Sequence, residues 1–280
     1  MKHRNAILSF AAVLTLAACA TVPPQSQQLA ANFKAMQPTS GLAKEMTMGE
    51  AERIRDGLVA ELAASHGKVV GYKAGLTNPA VQKRFGHFSP VRGVLLEKML
   101  LEDGAEVPAK FGAIPFFEAD IVVVVKDEGI NQAKTPAEVM KHVASVRPFI
   151  ELPDLVTAKE QPLTGAIITS FNVGARLGVL GKPIAATPEL ADALGKMTVV
   201  MRDQDGKELA RVPGAAILGH PLNAVVWLAQ DVAKSGGRLR AGDILSLGSF
   251  TAPNFTKPGT RVTVTYEGLP GNPTVSARFK

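Results

Sequence analysis

The chain has 280 residues, a formal charge of +6 and a single cysteine, and 46% of its residues are hydrophobic. This is long enough to bury one sizeable core. A lone cysteine excludes an intrachain disulfide, and basic residues scattered without interleaved aromatics argue against a nucleic-acid-binding face. The mild positive charge suits anionic small molecules or a lipid surface.

Residues 1–18 read as an export signal. Lys2, His3 and Arg4 form a basic start, and Ala6 to Leu16 is an apolar run too short to span a bilayer. Leu16-Ala17-Ala18-Cys19 looks like a bacterial lipobox, which implies cleavage before Cys19 and lipidation of that residue. Two or three acyl chains anchor stably where one does not. An ordinary secretory signal followed by a chance cysteine is the alternative, and both readings export the protein. The expected location is the membrane, as a lipoprotein facing the periplasm.

Residues 19–45 are expected to be the lipidated cysteine and a tether, because Pro23-Pro24-Gln25-Ser26-Gln27-Gln28 is polar and lacks an apolar period. A short helix fits between Leu29 and Met36. No later linker divides the chain, so residues 46–280 are expected to form one domain.

The first clear helix is expected from Met48 to His66. Thr47-x-x-Glu50 is a capping box, Ala51, Ile54, Leu58 and Leu62 recur at helical spacing, and Gly67 closes it. A strand follows over 68–73, and Asn78-Pro79 opens a short helix ending near Gly86. Strands are predicted over 93–96 and 114–125, the latter a β-branched run. Thr135-Pro136-x-Glu138 opens a helix, and Pro148-Phe149-Ile150-Glu151 reads as a strand. Further strands are predicted over 165–169 and 173–180, with a helix from Thr187. Segments 197–202 and 208–212 flank Asp203-Gln204-Asp205-Gly206 as a hairpin. A helix over 221–234 precedes strands at 243–247, 261–266 and 274–279. The mixed order predicts an α+β fold.

Glu118 and Asp120 stand two apart at the entrance of the β-branched run, so both point to one face. Converging carboxylates at an apolar edge are costly to desolvate, and a hard divalent cation with a third ligand from elsewhere removes that cost. The residues alone leave open the alternative that both acids are solvated. Ser170, Asn172 and Ser249 lack paired His and Asp partners, which argues against a serine-hydrolase triad. His220 reads as a helix-start residue beside Pro221 and Asn223, and His66 and His87 receive no role.

Several segments recur in one order: Gly71-Tyr72-Lys73-Ala74-Gly75-Leu76-Thr77, Glu118-Ala119-Asp120, Phe149-Ile150-Glu151-Leu152-Pro153-Asp154, Gly219-His220-Pro221-Leu222-Asn223-Ala224 and the stretch from Leu239 to Ser249. Together they resemble the 2-keto-4-pentenoate hydratase and oxalocrotonate decarboxylase branch of the fumarylacetoacetate hydrolase superfamily, over residues 48–280. The resemblance implies a mixed β-sheet roll with flanking helices. It implies Mg²⁺ or Mn²⁺ held by Glu118, Asp120 and Glu151, with Asp120 standing where the family has Glu. It implies a catalytic and substrate-binding role for Lys73, and substrate contacts from the hydroxyls of Ser249 and Thr251. The small-molecule partner would be a 2-oxo acid, and a homo-oligomer is compatible.

Two departures stand out. Pro90-Val91-Arg92-Gly93 lacks the acid that the family carries after the proline, and Phe171-Asn172-Val173-Gly174 lacks the acid of a D-N-A-S segment. The implied function is a metal-dependent lyase acting through an enolate, most simply a hydratase. The alternatives are a lipid-anchored binding protein with weakened catalysis, or a decarboxylase or C–C hydrolase of the same superfamily.

Overall fold

The computed structural model describes residues 22–280. The expected signal segment and Cys19 lie outside the described residues. In chain order the elements are α1 (Pro24–Ala35), α2 (Met48–His66), β1 (Val69–Gly75), α3 (Pro79–Arg84), β2 (Val91–Leu96), β3 (Leu100–Glu102) and β4 (Ala105–Val107). Then come β5 (Phe116–Val125), α4 (Pro136–Lys141), β6 (Val143–Leu152), α5 (Gly165–Ser170), β7 (Leu177–Leu180) and β8 (Ile184–Ala185). The rest are α6 (Pro188–Lys196), β9 (Thr198–Asp203), β10 (Glu208–Pro213), α7 (Leu222–Lys234), β11 (Ile244–Ser246), β12 (Asn254–Phe255), β13 (Arg261–Glu267) and β14 (Thr274–Phe279).

Local chemistry explains the ends. Thr47 and Glu50 close the reciprocal box of α2, with Thr47 N–H donating to Glu50 at 2.8 Å. Asn78 accepts from Ala80 N–H at 2.9 Å to start α3, and Thr135 caps α4 at Glu138 N–H. Between β9 and β10 the turn closes on Gly206, whose φ of 77° is left-handed.

The strands make two sheets. The larger runs β2-β1-β11-β5-β6-β7-β3, with β12 on one end of β5 and β8 on one end of β6; the smaller runs β10-β9-β13-β14-β4. The main core lies between them. Ala119, Ile121, Val123, Ile150 and Leu152 from the large sheet meet Val199, Val262, Val264 and Tyr266 from the small one, with α6 and α7 packed alongside. A second core gathers α1, α2, α5 and β2 around Leu29, Phe33, Leu58, Leu62, Val91 and Phe171.

Two sequence expectations fail here. Residues 24–45 are not a free tether. Leu29, Ala30 and Phe33 bury α1 against the second core, and Ser26 donates to the Ile54 carbonyl at 2.8 Å. The following segment is tied down as well: Thr39 N–H donates to Val156 O at 2.6 Å, and the Gln161 side chain brackets both backbone groups of Leu42 at 3.0 Å. A polar composition hid three apolar residues at helical spacing. Residues 165–169 form helix α5, not a strand: Thr164 caps it at Ile167 N–H, and complete burial overrides the β-branched bias.

The Arg176 guanidinium joins α1 to the sheet, lying 4.1 Å from the centre of the Phe33 ring. It also donates to the Phe33 carbonyl at 3.0 Å and pairs with buried Asp154 at 3.1 Å. Phe33→Ala should therefore lower stability by about 3–5 kcal/mol, the usual range for deleting a buried phenyl ring. Urea unfolding measures it, and a change near zero would show that α1 does not belong to the folded unit.

Candidate active site

Strand alternation sets the site. Glu118 and Asp120 share one face of β5, and Glu118 lies directly across from Glu151 on β6. The opposite face carries Ala119, Ile121 and Ile150 into the main core, so the three acids are held by a fully packed support. Asp120 is completely buried and Glu151 nearly so, while Glu118 keeps partial solvent contact.

Each carboxylate meets a specific partner. Asp120 accepts from the Ser246 hydroxyl on β11, from Gly248 N–H at 3.0 Å and from its neighbour Ile121 N–H at 2.5 Å. Glu151 accepts from the ammonium of Lys73, which lies on β1 and is buried. Lys73 also donates to the Val173 carbonyl at 2.8 Å. Ser249 lies beside Glu118, where its hydroxyl favours the ionised form.

Backbone geometry makes room for these groups. Gly93 is paired with Lys73, and a Cβ there would lie 2.7 Å from Lys73 Cγ. Gly248 has a φ of 114°, and a Cβ would lie 2.2 Å from the Thr77 hydroxyl. Asn172, Val173 and Gly174 are successively left-handed, with φ of 59°, 54° and 68°. Such a conformation is unusual for a β-branched residue and costs roughly 1–3 kcal/mol. It aims the Val173 carbonyl at Lys73, and the Asn172 amide holds the turn by bracketing Val94 N–H at 2.7 Å and Val94 O at 2.9 Å.

The structure thus brings together Lys73, Glu118, Asp120, Glu151 and Ser249. Thr251 supports the site from outside it, accepting from Ala119 N–H at 3.1 Å and pairing its backbone with Ser249. The predicted strand over 173–180 is confined to 177–180, because its first residues form the left-handed turn. Ser246 and Val173 were missed; neither has a motif, and their roles come from strand pairing and turn shape. His220 donates to Ala191 O at 2.8 Å and accepts from Leu222 N–H at 3.1 Å, a helix-start role. Val91 and Phe171, where acids were expected from the resemblance, are buried in the second core.

Burial dominates the electrostatics. It pushes the proton affinities of Glu118 and Asp120 up, against the opposing pull of Lys73 and the local hydroxyls. It pushes that of Lys73 down, against the attraction of Glu118 and Asp120. Three acids face one ammonium. Among the described residues no three acidic, imidazole or thiolate side chains converge closely enough to grip an ion as they stand, since Glu151 turns to Lys73 and Asp120 to its own donors. The donor set itself, three oxygens with surplus negative charge, matches a hard divalent cation.

These shifts have a direction in stability. Glu118 and Asp120 hold protons more tightly when folded, so stability falls as pH rises from the ordinary carboxylate value, about 4, toward their raised folded values. Lys73 is charged at a cost throughout that window, and its cost is relieved only above its lowered value. The cation-free protein should melt at a lower temperature at about pH 7 than at about pH 5. Glu118→Gln with Asp120→Asn should flatten that slope; an unchanged slope would assign it to other groups.

No family model matches the chain. It is 34% identical over 183 residues to a 2-keto-4-pentenoate hydratase of Burkholderia vietnamiensis, covering 65% of this chain and 68% of the relative. It is 30% identical over 237 residues to a 4-oxalocrotonate decarboxylase of Pseudomonas putida, covering 84% and 86%. Among solved structures, 4-oxalocrotonate decarboxylase from Pseudomonas putida G7, complexed with magnesium and adipate, superposes with a TM-score of 0.82 at 26% identity, over 91% of this chain and 96% of that one. Fumarylpyruvate hydrolase from Pseudomonas aeruginosa, at 13% identity and a TM-score of 0.55 over 74% of this chain and 88% of that one, shares the fold. By sequence, this chain belongs to the enzyme family of 2-keto-4-pentenoate hydratases and 4-oxalocrotonate decarboxylases, and its fold is the one shared with fumarylacetoacetate hydrolase-like proteins.

Proposed function

We propose that the chain is a divalent-cation-dependent lyase that acts on a 2-oxo acid through an enolate, most simply as a hydratase of the 2-keto-4-pentenoate type. The observation that carries this reading is the surplus of enclosed carboxylates on one face of β5 and β6. Glu118, Asp120 and Glu151 would hold Mg²⁺ or Mn²⁺, and the magnesium complex of the decarboxylase of similar fold supports that choice. When bound, the cation supplies Lewis-acid charge that favours an enolate over the 2-oxo acid.

The chain's own groups do the rest. Lys73 is a buried positive charge, and an ammonium removed from water counts for more than one at the surface. Its lowered proton affinity suits it to release a proton, and its charge suits a substrate carboxylate. The Val173 carbonyl and Gly93 fix its position. Ser249, whose hydroxyl is tied to the Thr251 backbone, would turn from that bond to meet a polar group of the substrate beside Glu118.

A second reading rests on Val91 and Phe171. Both are buried apolar side chains at positions where the family resemblance leads one to expect acids. They cannot move protons, which favours a metal and 2-oxo-acid binder with slow turnover. A decarboxylase is the further alternative, supported by the likeness to 4-oxalocrotonate decarboxylase.

Two measurements test the reading of the site. Glu118→Ala and Glu151→Ala should each weaken Mn²⁺ binding by roughly tenfold or more in calorimetry, non-additively because they act on one ion. Lys73→Met should weaken metal-dependent binding of a pyruvate-like or oxalate-like anion by about 10- to 100-fold, the loss of one charge-assisted hydrogen bond. Wild-type affinity in all three variants would remove the site. Hydration of 2-hydroxypenta-2,4-dienoate at a rate slower than an intact acid–base pair allows, by about 10²–10⁴-fold, would select the second reading over the first.

The location is proposed from Leu16-Ala17-Ala18-Cys19. With α1 starting at Pro24, a lipid on Cys19 would tether the folded unit through a few residues only. Cys19→Ser should release the protein from membranes on fractionation. Wild-type chain recovered in the soluble fraction with residues 1–18 intact would sink the proposal.

A further inference from the structure

Tyr266 lies on β13 in the small sheet, fully buried, and its ring belongs to the main core with Ala119, Ile121 and Ile150. It therefore approaches β5 and β6 from the face opposite the three acids. Its hydroxyl does not stop at the core. It reaches the backbone between the two strands, where it donates to the Asp120 carbonyl, accepts from Phe149 N–H at 3.1 Å and lies 3.0 Å from the Phe149 carbonyl.

The place of insertion matters. Asp120 and Phe149 are register partners, one two-residue step from the Glu118–Glu151 pair. Pro148 O accepts from Gly181 N–H on the β7 side, so the N–H and C=O of Phe149 point toward β5 by alternation. A phenol oxygen bridging that pair adds a side-chain link to the strand ladder at this level. The backbone held by that link carries the Asp120 side chain, two residues along β5 from Glu118, which pairs with Glu151.

We propose that Tyr266 is a positioning residue for the acidic cluster: from the second sheet, its hydroxyl links Asp120 to Phe149 and fixes the backbone from which the β5 and β6 carboxylates would turn onto a divalent cation. The proposal rests on the reading of Glu118, Asp120 and Glu151 as cation ligands. Tyr266 touches neither cation nor substrate, so its effect is on the fit of the ligands. Partners of this kind, one step behind the ligands, typically account for roughly 10–100-fold in metal affinity.

The experiment is titration of cation-free protein with Mn²⁺, comparing wild type, Tyr266→Phe and Val264→Ala. Val264 is fully buried on the same strand, two residues away, so its replacement loosens the same core without touching the hydroxyl. Tyr266→Phe should bind Mn²⁺ roughly 10–100-fold more weakly, and Val264→Ala should keep wild-type affinity. Undiminished affinity in Tyr266→Phe overturns the proposal, and so does an equal loss in Val264→Ala, which would reduce the effect to general destabilisation. A wild-type protein that binds no Mn²⁺ overturns the reading of the ligands and this inference with it, an outcome distinct from the first two. Should Tyr266→Phe not fold, 3-fluorotyrosine incorporated in a Tyr72→Phe background labels Tyr266 by itself, since the chain has two tyrosines, and makes its hydroxyl a stronger donor and weaker acceptor with little change of ring size. Affinity unchanged by that label likewise overturns the proposal.

Discussion

Desolvation of negative charge is the constraint on which the site depends. Strand pairing puts Glu118, Asp120 and Glu151 on one enclosed face, with Lys73 as the one ammonium among them. Removing a carboxylate from water is costly unless a hydrogen bond or a counter-charge replaces the lost solvation. Asp120 obtains three donors from Ser246, Gly248 and Ile121, and Glu151 obtains Lys73. Glu118 retains partial contact with solvent. The surplus that remains is what makes the face attractive to a cation and to a protonated or anionic partner bound through one.

The surrounding architecture can be understood as support for that face. Its back is a dry interface with the small sheet, so the acids rest on side chains that cannot move without opening the main core. The stretch from Leu247 to Thr251 continues the pairing along β5: Leu247 N–H donates to Ile121 O at 3.0 Å and Phe250 N–H to Ala119 O at 2.8 Å. At Asn172-Val173-Gly174 three successive left-handed residues, with the strain at Val173, deliver one carbonyl to Lys73. The Asn172 amide and the Asp154 N–H bond to Gly174 O at 3.0 Å over-determine this turn, as such strain requires.

The second core packs against β2 and receives two residues near the site. Val91 and Phe171 pack there with α2 and α5, so two positions close to the site serve packing instead of proton transfer. The same core receives α1, which ties the N-terminal part of the described chain to the layer that contains Lys73's neighbouring strand β2. Arg176 completes this connection by joining Phe33, Phe111 and Asp154. Under the proposed function this leaves three carboxylates and one ammonium at the site, and no further acid from these two positions.

Much of this was legible in the order of residues. The capping box at Thr47, the β-branched run after Asp120, the turn at Asp203 to Gly206 and the alternation of Glu118 with Asp120 each follow from local rules of helix ends, turns and strand faces. Those rules act over a few residues, so the sequence alone was enough to determine them. The resemblance then located Glu151 and Lys73. What only the tertiary structure decided are properties of contacts far apart in the chain. Burial turned 165–169 into a helix, apolar contacts drew 24–35 onto α2, and the left-handed turn at 172–174 cut short a strand that propensity favoured. Ser246 and Tyr266 reach Asp120 across more than a hundred residues, and no local pattern announces them. Periodicity reports which face a side chain takes; it does not report what stands opposite that face, and at this site the opposite groups decide where the charge goes.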